Sequence, residues 1–375
     1  MDIKVVPVRS ASDLKKFIKL PWTIYRGNPN WVPPLIREMK EILNLQNGTE
    51  LKKGEKEIFL AFADRKPAGR IYAGIDSVIN AKKNTKTGYL SLFECIDNMD
   101  VATALFDAAL SWLKGRGMNL VRGPVSPAGA DSDEYKGLLI DCFDMPPVVM
   151  NSYNPEYYIR LFENYGFVKD YDVYAYYLGH DTIFVSDPAK IIEYAQKRYN
   201  FRVDKINFKN LEEEIRALKY VLDLAVPEDW PDMVAPSLEE VREIAKKLIP
   251  VADPDIIIIA RSGDEPVGFG IALPDYNQVL IHLNGRITPL AALKYIWYKR
   301  KINRVRFFIM FVIPSFRKKG VAHAIYYQTF INGVKKGYIH GEGSTIGETN
   351  HQMRNDIESF GGRRYKTYRI YRMDL

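Results

Sequence analysis

Cysteine, histidine and long apolar runs are all scarce in this sequence of 375 residues. Its two cysteines, Cys95 and Cys142, are too few for a disulfide framework or a cysteine zinc site, and we expect both to be reduced residues of the core. The five histidines show no metal-ligand spacing, so we expect no metal. No run of about 18 apolar residues occurs, which argues against a membrane-spanning helix.

The first residues do not resemble a secretion signal. In Met1-Asp2-Ile3-Lys4 the second residue is acidic, and no apolar segment follows. The composition is ordinary for a globular protein, with 47% hydrophobic and 26% charged residues. We therefore expect a folded cytoplasmic protein, and its length suggests two domains.

Positive charge is concentrated towards the C-terminal end. Residues 294–375 contain 17 Lys and Arg against 5 Asp and Glu, a net charge of +12 in a chain whose total is +7. The remaining residues therefore carry a net charge of −5. This distribution favours a polyanionic partner such as a nucleotide, a nucleic acid or an anionic membrane, with a solvated basic surface as the alternative.

The two halves of the sequence repeat one order of predicted strands and helices. Three short matches in the same order carry the comparison: Pro67-Ala68-Gly69 with Pro266-Val267-Gly268, the helix patterns at 101–116 and 320–336, and Tyr165-Gly166 with Phe360-Gly361. Their offsets differ, which indicates different insertions in the two copies, one of them before the central helix of the second copy. The sequence therefore predicts a duplicated domain, with domains at 1–182 and 183–375.

One segment has the residue pattern of an anion-binding loop. It lies between a predicted strand and a predicted helix and reads Val312-Ile313-Pro314-Ser315-Phe316-Arg317-Lys318-Lys319-Gly320-Val321-Ala322. Gly320 and Ala322 are small enough for a ligand to approach the main chain closely. The N–H groups that begin a helix are available to phosphate oxygens, and three basic residues add positive charge. An ordinary basic turn between a strand and a helix is the alternative.

The run V-x-P-x-x-R-x-x-G-x-A resembles the acyl-CoA-binding signature of the GNAT superfamily of N-acetyltransferases. The following segment is also similar to that family, because a strand ends at Ile346 and Asn350 begins a helix that ends before Gly361. The resemblance implies an α/β fold of two tandem GNAT-like domains, each a mixed central sheet flanked by helices. It implies acetyl-CoA or another acyl-CoA as co-substrate, without a metal. The residues implied for CoA binding are Val312, Ile313, Arg317, Lys318, Lys319, Gly320, Val321, Ala322 and Asn350.

The first copy departs from this family pattern at the corresponding loop. Asp97-Asn98-Met99-Asp100 has no glycine and no basic residue, and its two acids would repel phosphate. We therefore expect the first copy to be degenerate for CoA. In the second copy, many family members have a tyrosine general acid seven residues after the Asn, where this chain has Ile357. The general acid is thus unassigned, with Tyr365 and Tyr368 as candidates.

The strand before Asn350 supplies the candidate catalytic residues. His340, Glu342, Ser344 and Ile346 alternate onto one face of that strand, which the resemblance places beside the thioester. A carboxylate can take the proton of an attacking amine, so Glu342 is the first candidate for the general base, with Ser344 on the same face. Glu348, in the loop before Asn350, is the second candidate. A solvated surface charge is the alternative for both.

The resemblance implies transfer of an acyl group from acyl-CoA to a small-molecule or peptide amine. Two alternatives stay open, an aminoacyl-tRNA-dependent transferase and a catalytically inactive CoA-binding or scaffold protein. Nucleic acid is not the partner we expect, and the oligomeric state is left open. The helix pattern at Leu290–Arg304 favours a helix packed in the core with a basic exposed side. An interfacial membrane helix is the alternative there, so peripheral membrane contact stays open.

Overall fold

The computed structural model describes residues 1–43, 55–127, 135–180, 188–228, 230 and 233–375. The helices are α1 Ala11–Lys19, α2 Pro21–Ile24, α3 Ile36–Ile42, α4 Ser77–Lys83, α5 Met99–Lys114, α6 Tyr158–Tyr165, α7 Ala189–Tyr199, α8 Leu211–Ala225, α9 Leu238–Leu248, α10 Asn277–Leu280, α11 Pro289–Lys299, α12 Val321–Lys335 and α13 His351–Ser359. The strands are β1 Ile3–Pro7, β2 Lys56–Ala63, β3 Lys66–Ile75, β4 Thr87–Cys95, β5 Leu120–Gly123, β6 Leu138–Leu139, β7 Val168–Gly179, β8 Arg202–Lys205, β9 Ile257–Ser262, β10 Glu265–Pro274, β11 Arg304–Val312, β12 His340–Gly347 and β13 Arg363–Asp374.

The chain divides into two compact units, and neither is a single stretch of sequence. The first unit comprises residues 1–173, 277–299 and 366–375, and the second comprises residues 174–276 and 300–365. The boundary predicted between residues 182 and 183 lies outside the described residues and stays a prediction.

The first unit is built on a mixed sheet in the order β1-β2-β3-β4-β5-β13. Strands β1 to β4 pair antiparallel, β4 and β5 pair parallel, and β5 pairs antiparallel with β13. The tight turn between β2 and β3 has Asp64 and Arg65 at positive φ, as a two-residue hairpin requires. The apolar side of α5 packs on this sheet and forms the core of the unit with Leu105, Phe106 and Leu113.

The second unit repeats this arrangement with strands β8-β9-β10-β11-β12. Strands β8 to β11 pair antiparallel, and β11 and β12 pair parallel. Apolar side chains of α8 and α12, among them Leu218, Ala324 and Ile325, form a second core with Ile258 and Phe269 of the sheet. The repeated strand order confirms the predicted duplication and the predicted α/β class.

Two expectations from the sequence are wrong in detail. Helix α11 forms, but its large apolar side chains are exposed rather than packed in the core. Cys95 is fully buried as predicted, whereas Cys142 is only half-buried and lies outside the core.

The last strand, β13, is fixed in the first unit by an ion pair. Arg369 donates to both carboxylate oxygens of Asp172, at 2.9 and 3.2 Å. Burial would raise the pKa of Asp172, but hydrogen bonds from Arg369 and Lys169 outweigh burial and hold that pKa below its usual value. The stabilisation is therefore complete above the unfolded-state pKa of Asp and is lost as the pH falls through the lower folded-state pKa.

Arg369→Leu is accordingly expected to lower the free energy of unfolding at neutral pH by about 2–4 kcal/mol. The variant should also lose less stability than the wild type on acidification below about pH 4, because the pair is already absent. Urea unfolding at several pH values measures both effects, with Arg372→Ala in the same strand as the control. If the free energy of unfolding of Arg369→Leu had the same pH dependence as that of the wild type, this assignment would be contradicted.

Candidate functional site

The predicted anion-binding loop connects β11 to α12 and leaves the start of α12 uncapped. Gly320 is the N-cap residue, with a φ of 81°, and no side chain caps the helix. A side chain at position 320 would be strained at this φ, and its Cβ would lie 3.0 Å from the Cβ of Ala195. The first N–H groups of a helix have no acceptor within it. In α12 they therefore lie at the positive end of the helix dipole, available to an anion.

The basic residues of this loop have different roles in the structure. Arg317 donates to the carbonyl oxygens of Val312, at 3.2 Å, and of Ala225, at 3.1 Å. Its guanidinium therefore ties the loop to the end of α8. The amino group of Lys319 lies 4.8 Å from the ring centre of Phe316. Lys318 is exposed and has a φ of 61°, so its charge faces solvent beside the helix start.

Strands β11 and β12 part before β11 reaches this loop. Their pairing runs from Arg304–His340 to Phe307–Gly343, although β11 continues to Val312 and β12 to Gly347. In the part of the chain that the structure describes, no pairing between the two strands follows Phe307 and Gly343. One main-chain group of the parted segment is engaged by a side chain, because the carbonyl of Ser344 accepts from Arg306 at 3.1 Å.

A buried polar cluster lies where the two strands part. Arg306 and Glu342 are register partners there, with 0% and 1% of their surfaces exposed. The Ser344 hydroxyl accepts from Nε of Arg306 at 3.0 Å and donates to Oε1 of Glu342 at 2.5 Å. The Tyr365 hydroxyl donates to Oε2 of Glu342. Two of the predicted catalytic residues, Glu342 and Ser344, are thus in direct contact, and Tyr365 is the more accessible member of the cluster.

A second hydrogen-bonded pair lies beside Tyr365. The Tyr177 hydroxyl and Nδ1 of His340 are 2.7 Å apart. The ring centres of Tyr177 and Tyr365 are 6.3 Å apart in an edge-to-face arrangement. This aromatic contact places the ring of Tyr365 next to the pair while its hydroxyl is hydrogen-bonded to Glu342.

Glu348 and Asn350 lie in the turn between β12 and α13. The main-chain carbonyl of Glu348 accepts a hydrogen bond from Arg354 at 2.9 Å, and its side chain is half-buried. The side-chain oxygen of Asn350 caps α13 by accepting from the N–H of Met353 at 3.2 Å. Asn350 therefore begins the helix as the sequence predicts. The described hydrogen bonds do not bring Glu348 into the Glu342 cluster.

The architecture has close counterparts among solved structures. A tandem GNAT protein from the clavulanic acid biosynthesis pathway superposes with a TM-score of 0.58 over 100% of this chain and 98% of that one, at 9% identity. A GCN5-related N-acetyltransferase from Sphaerobacter thermophilus gives a TM-score of 0.54 over 99% of this chain and 95% of that one, at 11% identity.

The chain has the tandem GNAT fold.

Similarity in sequence extends over the whole chain. Protein YghO of Escherichia coli is 29% identical, covering 98% of this chain and 94% of the relative. A bacterial ceramide synthase of Caulobacter vibrioides is 28% identical, covering 100% of this chain and 98% of the relative. No family model matches the chain.

The first GNAT-like copy has no counterpart of the uncapped helix start. Asn98 caps α5 with its side-chain oxygen, which accepts from the N–H of Val101 at 3.0 Å. Tyrosine side chains cover the adjoining strand end: the main-chain N–H of Cys95 donates to the Tyr158 hydroxyl at 2.9 Å, and the Tyr157 hydroxyl donates to the carbonyl of Cys95 at 2.7 Å. An internal cap therefore lies where the second copy has an uncapped helix start, and two tyrosines occupy main-chain groups of the adjoining strand end.

Ile357, at the family's tyrosine position, belongs to the packing beneath β12. It is fully buried in a cluster with Tyr174, Tyr176 and Ile346. A Cβ added to Gly343 would lie 2.3 Å from its Cδ1, so this isoleucine packs directly under the strand. Any general acid in this fold must come from another position.

The thiol of Cys95 is unsuited to nucleophilic chemistry. Burial raises its pKa to about 12, and the thiolate is the reactive form of cysteine. Within the described ranges, no group of three or more His, Cys, Asp and Glu side chains is arranged to hold a metal ion.

Arg306 is the member of the polar cluster that the sequence analysis missed. It lies in the strand Arg-Val-Arg-Phe-Phe-Ile-Met-Phe-Val, where an arginine interrupts an otherwise apolar run. A charged residue in a strand of this kind is buried only with partners, and that signal could have identified it. Tyr177 carries no such signal, because its role depends on contacts with His340 and Tyr365, which are more than 160 residues away in the sequence.

Proposed function

We propose that the protein is an acyl-CoA-dependent N-acyltransferase whose second unit binds the acyl-CoA and transfers its acyl group to an amine. The uncapped start of α12 beside the parted strands carries this proposal. The N–H groups of Val321 and Ala322 would bind the pyrophosphate, with Gly320 permitting close approach and Lys318 adding charge. Arg317 would hold the loop in place, and the main chain at Val312 and Ile313 would line the channel for the pantetheine arm.

The buried polar cluster supports a proton path for the reaction. An amine attacks a thioester only in its neutral form, so a base must remove a proton as the C–N bond forms and the C–S bond breaks. The Glu342 carboxylate is buried, and the hydroxyl of Tyr365 lies at its accessible side. In our proposal, Tyr365 takes the amine proton while passing its own to Oε2 of Glu342. The Ser344 hydroxyl, which accepts from Arg306, holds the carboxylate in place.

The CoA thiolate that leaves would then recover a proton from Tyr365. The tyrosine regains its proton from Glu342, so the relay returns to its starting state after one turnover. This assigns the missing general acid to Tyr365 rather than to Tyr368, which is fully buried. Asn350, with its oxygen used in capping, would contact the acyl-CoA through its amide nitrogen.

One relative over the full length is named a bacterial ceramide synthase, and a ceramide is the fatty-acyl amide of a long-chain amino alcohol. This name favours a long-chain amine over a peptide as the acceptor here. A panel of amines assayed by release of free CoA thiol tests that preference directly.

Gly320→Glu is expected to weaken CoA binding by about 100-fold or more, because it places a carboxylate at the proposed pyrophosphate position. Calorimetry with CoA should give one site per wild-type chain and none in the variant. Gly337→Glu is the matched control: Gly337 has a φ of 90° and no atom within 4 Å of an added Cβ. This substitution therefore introduces the same charge and a similar backbone strain at the far end of α12.

Two outcomes would count against this CoA site. If Gly320→Glu binds CoA with unchanged affinity, the start of α12 is not the phosphate site. If the wild type binds two equivalents of CoA, the first copy is functional too. A chain that binds CoA but releases no thiol with any amine would be a CoA-binding scaffold, and one that requires aminoacyl-tRNA would belong to the other class of transferase.

A further inference from the structure

Helix α11 exposes a row of large apolar side chains. The exposed fractions are 66% for Leu290, 66% for Leu293, 54% for Ile296 and 53% for Trp297, and Ile287 just before the helix is 69% exposed. Isolated exposed apolar residues are common on proteins, but a contiguous group of this size marks an interaction site. Trp297 adds a residue type that is enriched at the interface between lipid and water.

These side chains form one stripe along the helix. At about 100° per residue, Leu290, Leu293, Ile296 and Trp297 fall within an arc of roughly 120°. On the same projection, Lys294 lies just beyond one edge of the arc and Lys299 beyond the other. The buried residue, Ala291, lies on the opposite side. The helix is therefore amphipathic in the reverse sense, with its small residue inward and its large apolar residues outward.

The stripe lies in a segment without any acidic residue. No Asp or Glu occurs between Asp275 and Glu342. Arg286 precedes the helix, and Arg300 and Lys301 follow it directly in the sequence. A cavity of about 400 Å³ just before the helix includes Lys19 and Arg286 in its lining. The apolar stripe is thus flanked by cations on the helix and in the adjoining sequence, which complements a negatively charged surface.

The segment before α11 is held firmly, so the exposure does not reflect a detached helix. Nε1 of Trp22 donates to the side chain of Asn284 at 2.6 Å, and the N–H of Ile36 donates to the carbonyl of Gly285 at 3.0 Å. The rings of His282 and Tyr298 stack at 3.7 Å. All of these contacts lie within the first unit. The stripe is presented by a fixed scaffold.

We propose that α11 docks the protein on an anionic lipid bilayer, with Leu290, Leu293, Ile296 and Trp297 entering the interface and the flanking cations at the head groups. The helix has 11 residues, and none of the described helices is long and apolar enough to cross a bilayer. It therefore lies in the plane of the membrane surface. Binding is independent of the acyltransferase proposal, because it needs neither CoA nor an acceptor.

Co-sedimentation of the full-length protein with vesicles tests this docking. Phosphatidylcholine vesicles containing about a third of phosphatidylglycerol should retain the wild type, and vesicles of phosphatidylcholine alone should retain several-fold less. Leu293→Glu should weaken the partition about tenfold or more. Lys294→Glu should weaken it several-fold, and added salt should do the same because it screens exposed charges.

Ile244→Glu provides the matched control, since Ile244 is 49% exposed on α9. It introduces the same carboxylate elsewhere and should bind vesicles like the wild type. Brominated lipids should quench part of the tryptophan fluorescence, and Trp297→Phe should remove that part. Far-UV circular dichroism of each variant shows whether it is folded.

Three results would overturn the proposal. The first is a wild type that stays in the supernatant with anionic vesicles, and the second is equal binding to both kinds of vesicle. The third is a folded Leu293→Glu variant that binds as well as the wild type. If vesicles do not bind and a concentration-dependent dimer is dispersed by Leu293→Glu, the stripe contacts a second copy of the chain instead.

Discussion

Replacing Glu342 with glutamine is expected to lower the acyl-transfer rate by about 100-fold or more, the lower end of what a positioned base contributes, while CoA affinity stays unchanged. Glutamine keeps the shape of the side chain and can still accept from the Ser344 hydroxyl. It cannot take a proton from Tyr365. Because the carboxylate contacts Ser344 and Tyr365 rather than the proposed CoA loop, the effect should fall on kcat rather than on the dissociation constant of CoA.

The proposed relay also predicts how the effects of two substitutions combine. Tyr365→Phe should reduce the rate to a similar extent, and the double variant should fall little further, because residues that act as one unit are not additive. Tyr177→Phe is the matched control. Its hydroxyl is hydrogen-bonded to His340 rather than to Glu342, and we expect a change within about threefold.

The measurements needed are steady-state rates with a competent amine and CoA titration by calorimetry. Full activity of Glu342→Gln would exclude the proposed proton path. Glu348→Gln would then be tested next. If both variants were fully active, the rate would depend on the positioning of the substrates alone.

Removing residues 366–375 is expected to unfold the first unit even though the deletion lies at the far end of the chain. Strand β13 contributes the buried side chains of Tyr368, Ile370 and Tyr371. The loss of each large buried side chain costs about 3–5 kcal/mol, so together they approach the whole stability of an ordinary domain, about 5–15 kcal/mol. The deletion also leaves the edge of β5 unpaired.

Calorimetry and limited proteolysis measure this effect. The deleted chain should lose the cooperative transition of the first unit, and protease sites within residues 1–173 should become accessible. Arg372→Ala is the control within the same strand, because its side chain is 52% exposed. A deleted chain that melts like the wild type would show that the first unit does not depend on its last strand.

The anion-binding loop could be predicted from sequence because all of its determinants are adjacent. Gly320, the basic residues and the helix that follows occupy one continuous segment, and local geometry then places the N–H groups. The alternation that brought Glu342 and Ser344 onto one face is equally local. The contacts of Glu342 and Ser344 with Arg306 and Tyr365 are not local, because they depend on how strands far apart in the sequence come together.

The exposed face of α11 shows a different limit of sequence analysis. The periodicity of Leu290, Leu293 and Trp297 predicts an amphipathic helix correctly. The usual inference is that an apolar stripe faces the core of its own chain. That inference assumes a partner within the protein, and periodicity alone cannot distinguish this from a partner outside it. Only the exposed fractions of the side chains decide the matter.

The non-contiguous first unit also sets the order of events during synthesis. Residues 1–173 leave the ribosome without the strand that closes their sheet, because residues 366–375 of that strand are made only after the segments of the second unit. At about 5–20 residues per second, the roughly 200 residues that follow Val173 take about 10–40 s. During that interval the nascent first unit exposes an open strand edge and an incomplete core. Its folding is therefore completed only after residues 366–375 have emerged, and chaperones that shield such edges would act before the second unit has finished emerging.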